Sequence, residues 1–204
     1  MKLHINLGKN SYDVFLQRGS LNKVGKLFDL DRKVLIVTDD GVPSQYAKIV
    51  AEQCRDSVCV TLPQGEGTKN FFYCELLCKK CLEVQLTRND CIVAVGGGVV
   101  GDLVGFTAAS YMRGIDFYNI PTTVLSQVDS SIGGKVAINL DNIKNIVGAF
   151  YQPRGVVIDP DILKTLSLRQ ISNGLAEAIK MGLICDGKLF YLFEKENPMD
   201  YIDE

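Results

Sequence analysis

A glycine-rich turn is the stretch of this sequence best suited to chemistry. Residues 91–102 read CIVAVGGGVVGD, an apolar run followed by three glycines and the start of a predicted helix. Gly96, Gly98 and Gly101 match the pattern G-x-G-x-x-G. Where such a turn joins a strand to a helix N-terminus, backbone N–H groups and the helix dipole favour an anion. The turn therefore predicts a phosphate or diphosphate ligand, with a purely steric need for glycine as the alternative.

The acidic residue that would complete a dinucleotide-binding fingerprint is not in the usual place. That residue is expected about 20 residues after the glycines, at the end of the next strand. Asp116 lies near that distance, but at the start of its predicted strand. Asp39 instead ends an earlier buried strand. Nucleotide riboses bind at the carboxyl ends of parallel strands, so Asp39 is the candidate ribose ligand, with a turn or cap as the alternative.

Three further sets of charged residues could bind a ligand. Glu66 and Lys69 lie three residues apart in a glycine-containing loop, where the alternative is a solvated pair. Lys135 follows two glycines and suits a phosphate as a point charge. Glu177 and Lys180 share one face of a predicted helix, although an exposed ion pair of little energetic value would have the same spacing.

These residues need a scaffold, and the hydrophobic pattern predicts an α/β fold. Strands are predicted at 2–7, 11–17, 33–38, 57–62, 91–95, 116–120 and 155–158. Residues 135–140 and 144–148 are predicted as a hairpin or as a loop with some strand character. Helices are predicted at 20–28 with Ser20 as its cap, 43–54, 71–85, 99–110 and 167–184, with a short one after 123. Alternating strands and helices favour a Rossmann-like, mostly parallel sheet with helices on both faces. We expect an α/β domain at 1–166 and the beginning of a helical domain at 167–204.

Composition narrows the class of protein. The chain has 204 residues, 47% hydrophobic, and a net charge of −2, which does not favour nucleic acid as a partner. No apolar run reaches the ~18 residues of a membrane span, and the N-terminus lacks a signal-peptide pattern, so a cytoplasmic protein is expected. The seven cysteines have no paired framework. Cys74, Cys78 and Cys81 share a helix face, where a core position is favoured over a metal site.

Several motifs together resemble 3-dehydroquinate synthase, a family of the sugar-phosphate cyclase superfamily. The resemblance extends from about residue 34 to 183. The motifs are GEGTK at 65–69, GGGVVGD at 96–102, YMRG at 111–114, PTTVLSQVDSSIGGK at 121–135, KN at 144–145 and GLAEAIK at 174–180. The middle segment is long and specific.

The resemblance implies a fold and a reaction. It implies an N-terminal NAD-binding domain and a helical C-terminal domain that carries a zinc or cobalt ion, in a homodimer. The implied activity is that of an NAD-dependent carbon–oxygen lyase. It converts the sugar-acid phosphate 3-deoxy-D-arabino-heptulosonate 7-phosphate to 3-dehydroquinate and phosphate, in the shikimate pathway of aromatic amino acid biosynthesis. NAD oxidises a carbinol, phosphate leaves by β-elimination, the hydride returns, and the opened ring closes by an aldol step.

The resemblance also implies roles for individual residues. Its cofactor contacts fall on Asp39, Glu66, Lys69, Gly97, Gly98, Val99, Gly101, Asp102, Thr122, Thr123, Leu125, Lys144 and Thr165. Its substrate and catalytic contacts fall on Arg113, Asp129, Lys135, Asn145 and Lys180. It places Lys135 on the substrate phosphate, Lys180 on the substrate carboxylate, and Arg113 on the phosphate of the neighbouring subunit. Glu177 is the implied metal ligand.

The sequence departs from the family at the metal. The family uses two further histidine ligands, whereas this chain has one histidine, His4, in the first predicted strand. We therefore expect a fragment that is inactive by itself. Two alternatives stay open: another sugar-phosphate cyclase that makes a cyclitol, and a non-catalytic nucleotide-binding half that needs a separate partner. Asn145 and Lys180 favour the dehydroquinate reaction over the first alternative.

Overall fold

A mostly parallel sheet forms the centre of the molecule. The computed structural model describes residues 1–196. Within them, nine strands form a seven-stranded sheet, in the order β1-β2-β9-β6-β5-β3-β4, and a separate β7–β8 hairpin. The strands are β1 Lys2–Ile5, β2 Tyr12–Leu16, β3 Lys33–Asp39, β4 Asp56–Leu62, β5 Cys91–Gly96, β6 Asp116–Pro121, β7 Lys135–Leu140, β8 Ile143–Phe150 and β9 Gly155–Ile158. In the main sheet β1 pairs antiparallel with β2, and the other neighbouring strands pair in parallel.

Helices cover both faces of this sheet. They are α1 Val24–Leu27, α2 Ser44–Ala51, α3 Phe71–Glu83, α4 Gly98–Ser110, α5 Leu168–Cys185 and α6 Gly187–Lys195. Side chains of β3 alternate between the two layers: Leu35 and Val37 pack with α3 and α4, whereas Val34 and Ile36 pack with α1 and α2. The predicted α/β, Rossmann-like fold is therefore confirmed. In residues 1–196, no helix combines the length and apolar character that crossing a bilayer requires.

Helix α4 is enclosed more completely than the other helices of the sheet layers. It packs on β5 and β6 on one side and on the β7–β8 hairpin on the other. Gly105 permits this close approach, since a Cβ there would meet the ring of Phe117 at 3.2 Å and crowd Val136 as well. Because both sides are covered, the sequence of α4 is small and apolar nearly all round. This packing fixes the glycine turn at the N-terminus of α4 against the sheet.

One predicted helix is wrong in detail. The segment predicted as a helix at 20–28 is a 3-10 turn, Ser20–Lys23, followed by the single turn α1. Ser20 does not cap it. The carboxylate of Asp159 accepts hydrogen bonds from the N–H groups of Gly19 (3.0 Å) and Leu21 (2.9 Å), and so satisfies the donors at the start of the turn. A carboxylate from 138 residues away along the sequence thus takes the role predicted for Ser20.

The strand order creates a crevice at one edge of the sheet. Strand β3 has β4 on one side and β5 on the other, so the connections that follow β3 and β5 leave in opposite directions. In open α/β sheets, ligands bind beside the carboxyl ends of the strands at such a switch point. Asp39 ends β3 and the glycine turn follows β5, so both candidate ligand-binding features meet at this crevice.

Candidate functional site

The crevice contains a cleft of about 290 Å³. Its lining includes predicted cofactor contacts from several strand ends and from the segment before α5, namely Asp39, Gly97, Gly98, Val99, Thr122, Thr123 and Thr165. Tyr46, Gln64 and Gln170 also line the cleft and were not predicted from the sequence. The volume matches the lower end of the range for small-molecule sites, about 300 Å³ and above. Seven of the thirteen predicted cofactor contacts therefore lie around one cleft.

The glycine turn lies at the base of this cleft. Gly97 has an extended backbone (φ −74°, ψ −170°) and precedes α4, which begins at Gly98. A Cβ on Gly98 would lie 2.9 Å from Ser130 Oγ, and one on Gly97 would lie 3.2 Å from Thr123. Within residues 1–196 the buried Ser130 hydroxyl has no hydrogen-bond partner. The turn thus exposes the N–H groups at the start of α4, and the Ser130 hydroxyl beside it can still donate a hydrogen bond. Both features suit an anionic group.

Gly101 has a different position from the other predicted glycines. It lies on the buried side of α4, where a Cβ would be 3.1 Å from the Asn119 side chain on β6. This contact matches the role of the third glycine in dinucleotide-binding turns, which is close packing of helix against strand.

Asp39 lines the cleft at the end of β3, and Asp40 follows it in the chain. Asp39 accepts a hydrogen bond from the Gly41 N–H at 2.9 Å, and Asp40 accepts one from the Gln64 N–H at 2.8 Å. Burial raises the pKa of Asp39, and the charge of Asp40 adds to this effect. Asp39 therefore closes a turn and also lines the cleft.

A buried ion pair lies behind the glycine turn. Lys69 Nζ contacts the carboxylate of Asp102 and donates to Asn145 Oδ1 at 2.5 Å. Lys69 is only 5% exposed. Burial raises the pKa of the Asp102 carboxyl, and the hydrogen bond from Lys69 opposes that rise. The Glu66–Lys69 pair considered from the sequence is therefore replaced by a pairing of Lys69 with Asp102 of α4.

A second pocket, of about 360 Å³, lies between α4 and the β7–β8 hairpin. Its walls include Asp102, Lys135, Asn145 and Phe150. Lys135 and Phe150 are paired across the hairpin, and Asn145 has a left-handed backbone with φ +55°. Two predicted substrate contacts and one predicted cofactor contact thus share this pocket.

The residues predicted for the substrate carboxylate and the metal form a third group. Lys180 Nζ contacts the Glu177 carboxylate on α5, with side chains 57% and 19% exposed. Hydrogen bonding to Glu177 raises the pKa of Lys180, and the charge of Asp129 contributes to the rise. Asp129 lies in a turn of π-helix, Ser126–Ser130, which contacts α5. The segment predicted as a short helix after 123 thus brings Asp129 towards Lys180.

The remaining predicted residues lie at the margins. Lys144 lines a shallow depression with Glu66, Lys69 and Asn139, the last of which the sequence did not single out. Leu125 is 39% exposed beside the π-helical turn. Arg113 lies at the opposite end of α4 from the glycine turn, in an exposed turn where Met112 and Arg113 both have positive φ. To predict Asn139 from the sequence, one would have to know that the β7–β8 hairpin contacts the loop at residues 65–69.

A metal would lack sufficient ligands in the part of the chain that the structure describes. Residues 1–196 contain no group of three or more His, Cys, Asp and Glu side chains that could hold an ion. His4 hydrogen-bonds Asp13 on the neighbouring strand at 2.8 Å. Cys74 and Cys81 are buried in the core and Cys78 packs against it, so the predicted core position of these thiols is confirmed.

Known proteins share both the sequence pattern and the fold of this chain. The profile of the 3-dehydroquinate synthase N-terminal domain matches residues 59–173. A 3-dehydroquinate synthase from Alkaliphilus metalliredigens is 46% identical over all of this chain, which spans 55% of that relative. A solved 2-epi-5-epi-valiolone synthase from Streptomyces hygroscopicus subsp. jinggangensis, with NAD+ and Zn2+ bound, superposes with a TM-score of 0.87 at 30% identity. That match covers 98% of this chain and 56% of the other.

A second solved cyclase has the same fold. A 2-deoxy-scyllo-inosose synthase, complexed with carbaglucose-6-phosphate, NAD+ and Co2+, superposes with a TM-score of 0.85 at 30% identity; the match covers 90% of this chain and 52% of the other. The family profile covers more than half of this chain, and all of it aligns with a relative at high identity. The chain therefore belongs to the 3-dehydroquinate synthase family.

Proposed function

We propose that this chain supplies the NAD-binding part of a 3-dehydroquinate synthase. The observation that carries the proposal is the cleft between the ends of β3 and β5, where Asp39, the glycine turn and the Thr122–Thr123 pair meet. The chain spans about 55% of the relative it matches over its whole length. The activity of the whole enzyme, its substrate and its homodimeric state are therefore proposals as well.

The cleft residues fit NAD by their chemistry. The N–H groups at the start of α4 face a site where a diphosphate can approach closely, because Gly97 and Gly98 lack Cβ atoms. Asp39 is placed to accept hydrogen bonds from a ribose, and its charge disfavours a 2′-phosphate. Thr122 and Thr123 follow β6 beside the turn. The chemistry that NAD supplies when bound is reversible hydride transfer.

The β7–β8 pocket is the proposed place for the sugar-acid phosphate. Lys135 would bind the phosphate as a point charge, and Asn145 would donate or accept hydrogen bonds beside it. Lys69 contacts Asp102, which lines this pocket. Asp129 and Lys180 would meet the hydroxyl and carboxylate groups of the substrate. Arg113 would reach the phosphate in the neighbouring subunit of the dimer.

Glu177 is proposed as one ligand of a zinc or cobalt ion. Catalytic zinc sites use three protein ligands, and residues 1–196 do not offer such a group. The described residues thus do not fit a complete metal site by themselves. We propose that residues 1–166 form the coenzyme domain and that α5 begins the domain that carries the metal. A cytoplasmic location is part of the same proposal.

The higher sequence identity to relatives named 3-dehydroquinate synthase supports that reaction over cyclitol formation. Those relatives are 42–46% identical to this chain, whereas the two solved cyclases that are named for other products are each 30% identical to it. The test is a chimaera in which this chain is joined, within α5, to the remainder of the Alkaliphilus relative. We expect phosphate release from 3-deoxy-D-arabino-heptulosonate 7-phosphate that requires NAD+ and is abolished by Lys135→Ala. Release without NAD+, or no release from a folded chimaera, would contradict the proposal.

A further inference from the structure

Asn139 connects the loop at residues 65–69, beside the coenzyme cleft, with the β7–β8 hairpin of the second pocket. The N–H of Asn139, on β7, donates to the carbonyl of Lys69 at 2.8 Å. Its side-chain Nδ2 donates to Glu66 Oε1 at 2.8 Å, and its Oδ1 accepts from the Asn145 N–H at 2.9 Å. Asn139 thus makes three hydrogen bonds, two as donor and one as acceptor. Two of them reach the 65–69 loop and one reaches the β8 strand of the hairpin.

The bond to Asn145 stabilises an unusual backbone. Asn145 has φ +55°, a region that few residues other than glycine adopt, although asparagine tolerates it better than most. The Asn145 side chain then accepts from Lys69 Nζ at 2.5 Å. Since Asn139 holds the backbones of Lys69 and Asn145, and their side chains meet, these residues form a closed ring of interactions.

The bond to Glu66 reaches the loop that follows the wall of the coenzyme cleft. Glu66 begins the short 3-10 turn Glu66–Thr68, which follows Gly65 of the cleft wall. A neutral amide donor directs the Glu66 carboxylate without neutralising it, so its charge stays available to a ligand. The same amide therefore determines the position of an acidic group at the coenzyme loop and of an amide in the substrate pocket.

We propose that Asn139 is a positioning residue that assembles the coenzyme and substrate pockets together. The inference rests on the proposed function of those pockets. It assigns Asn139 no contact with a substrate or coenzyme. Its effect passes through Glu66 and Lys69 in one direction and through Asn145 in the other.

Two substitutions separate these directions. Asn139→Asp keeps the acceptor for the Asn145 N–H, but removes the donor to Glu66 and places a second carboxylate beside it. Asn139→Ala removes both bonds. Asn142→Ala, in the exposed turn of the same hairpin, is the matched control. The readouts are the NAD+ affinity by calorimetry and the hydrogen-exchange rate of the Asn145 amide by NMR, both on the 204-residue chain.

We expect Asn139→Asp to weaken NAD+ binding about tenfold, the effect of one lost charge-assisted hydrogen bond, with Asn145 exchange close to wild type. Asn139→Ala should weaken binding similarly and accelerate Asn145 exchange about tenfold or more. The control should change neither. A general structural role would instead move both readouts together in both variants, and that result, like unchanged values in both, would overturn the inference.

Failure of the proposed function has a different signature. If the wild-type chain binds no NAD+, the coenzyme proposal fails, and the contrast in Asn145 exchange between the Asp and Ala variants alone decides the inference. If Asn139→Ala does not fold, Asn139→Asp is compared with the control. Equal NAD+ affinities in that comparison would overturn the role of Asn139.

Discussion

Lys69→Met tests the buried ion pair behind the glycine turn. The Lys69 and Asp102 side chains are 6% and 16% exposed. Methionine keeps much of the apolar volume but removes the cation, and the charges of Glu66 and Asp129 already raise the pKa of Asp102 in addition to burial. Removing one partner of a buried pair costs about 3–5 kcal/mol. Since Asp102 keeps some contact with solvent, we expect a loss of about 3 kcal/mol in the free energy of unfolding at neutral pH.

This loss should depend on pH in a defined direction. The pKa of Asp102 in the folded protein lies above its ordinary value of 3.8, so the folded state binds this proton more tightly than the unfolded state. The charged Asp102 carboxylate therefore destabilises the folded state. This destabilisation is absent below the pKa of Asp102 in the unfolded chain, and it grows as the pH rises through the pKa of Asp102 in the folded protein. Without Lys69 the folded pKa rises further. The penalty of the substitution relative to wild type should therefore shrink as the pH falls towards about 4.

Thermal unfolding of both proteins at neutral and acidic pH measures this effect. For a chain of this size, a loss of about 3 kcal/mol lowers Tm by roughly 6–12 °C. Adding Asp102→Asn to Lys69→Met removes the unpaired charge and should recover part of the loss. Lys79→Met, in an exposed pair with Glu75, is the control and should change little. An equal Tm deficit at both pH values, or a double variant less stable than Lys69→Met, would refute the reasoning.

Three further predictions concern ligands and assembly. Asp39→Asn should weaken NAD+ binding and narrow the preference for NAD+ over NADP+, because the carboxylate no longer repels a 2′-phosphate; an unchanged ratio by calorimetry would argue against ribose contact. The 204-residue chain should retain no stoichiometric zinc after dialysis, since Glu177 is one ligand of the several required; a metal equivalent that Glu177→Ala removes would contradict this. In a full-length enzyme, Arg113→Ala and Lys135→Ala should each lose most activity as homodimers. Mixed dimers should recover up to about a quarter of it, and no recovery from proven heterodimers would show that Arg113 serves its own subunit.

Local patterns were sufficient to predict the fold and the meeting of Asp39 with the glycine turn at one cleft. The apolar run of β5 predicts a strand buried on both faces, and all six of its residues are buried. The glycines after it and Asp39 at the end of β3 follow from the rule that parallel strands present their carboxyl ends at one edge. Such features depend on residues that are adjacent in sequence, so a single sequence contains them.

Contacts between distant segments could not be predicted in the same way. Asp159 takes the role predicted for Ser20 across 138 residues, and Lys69 pairs with Asp102 across 33 residues instead of with Glu66 nearby. Asn139 has no motif of its own, and it contacts Glu66 and Lys69 only because the hairpin packs beside residues 65–69. Each of these depends on tertiary packing, which overrides the local signal.

Calorimetric titration of the 204-residue chain with NAD+ tests the central claim most directly. Gly98→Val is the decisive variant, because a Cβ at Gly98 already lies 2.9 Å from Ser130 Oγ and a branched side chain would fill the space of the diphosphate. Gly187→Val, at the start of α6, is the matched control: among the described residues outside its chain neighbours and the adjacent backbone of its own helix, no heavy atom lies within 4 Å of its Cβ position. We predict saturable binding of one NAD+ per chain in the wild type and the control, and none in folded Gly98→Val. Equal affinity in all three proteins, or no binding to the wild type, would contradict the assignment of the coenzyme to this cleft.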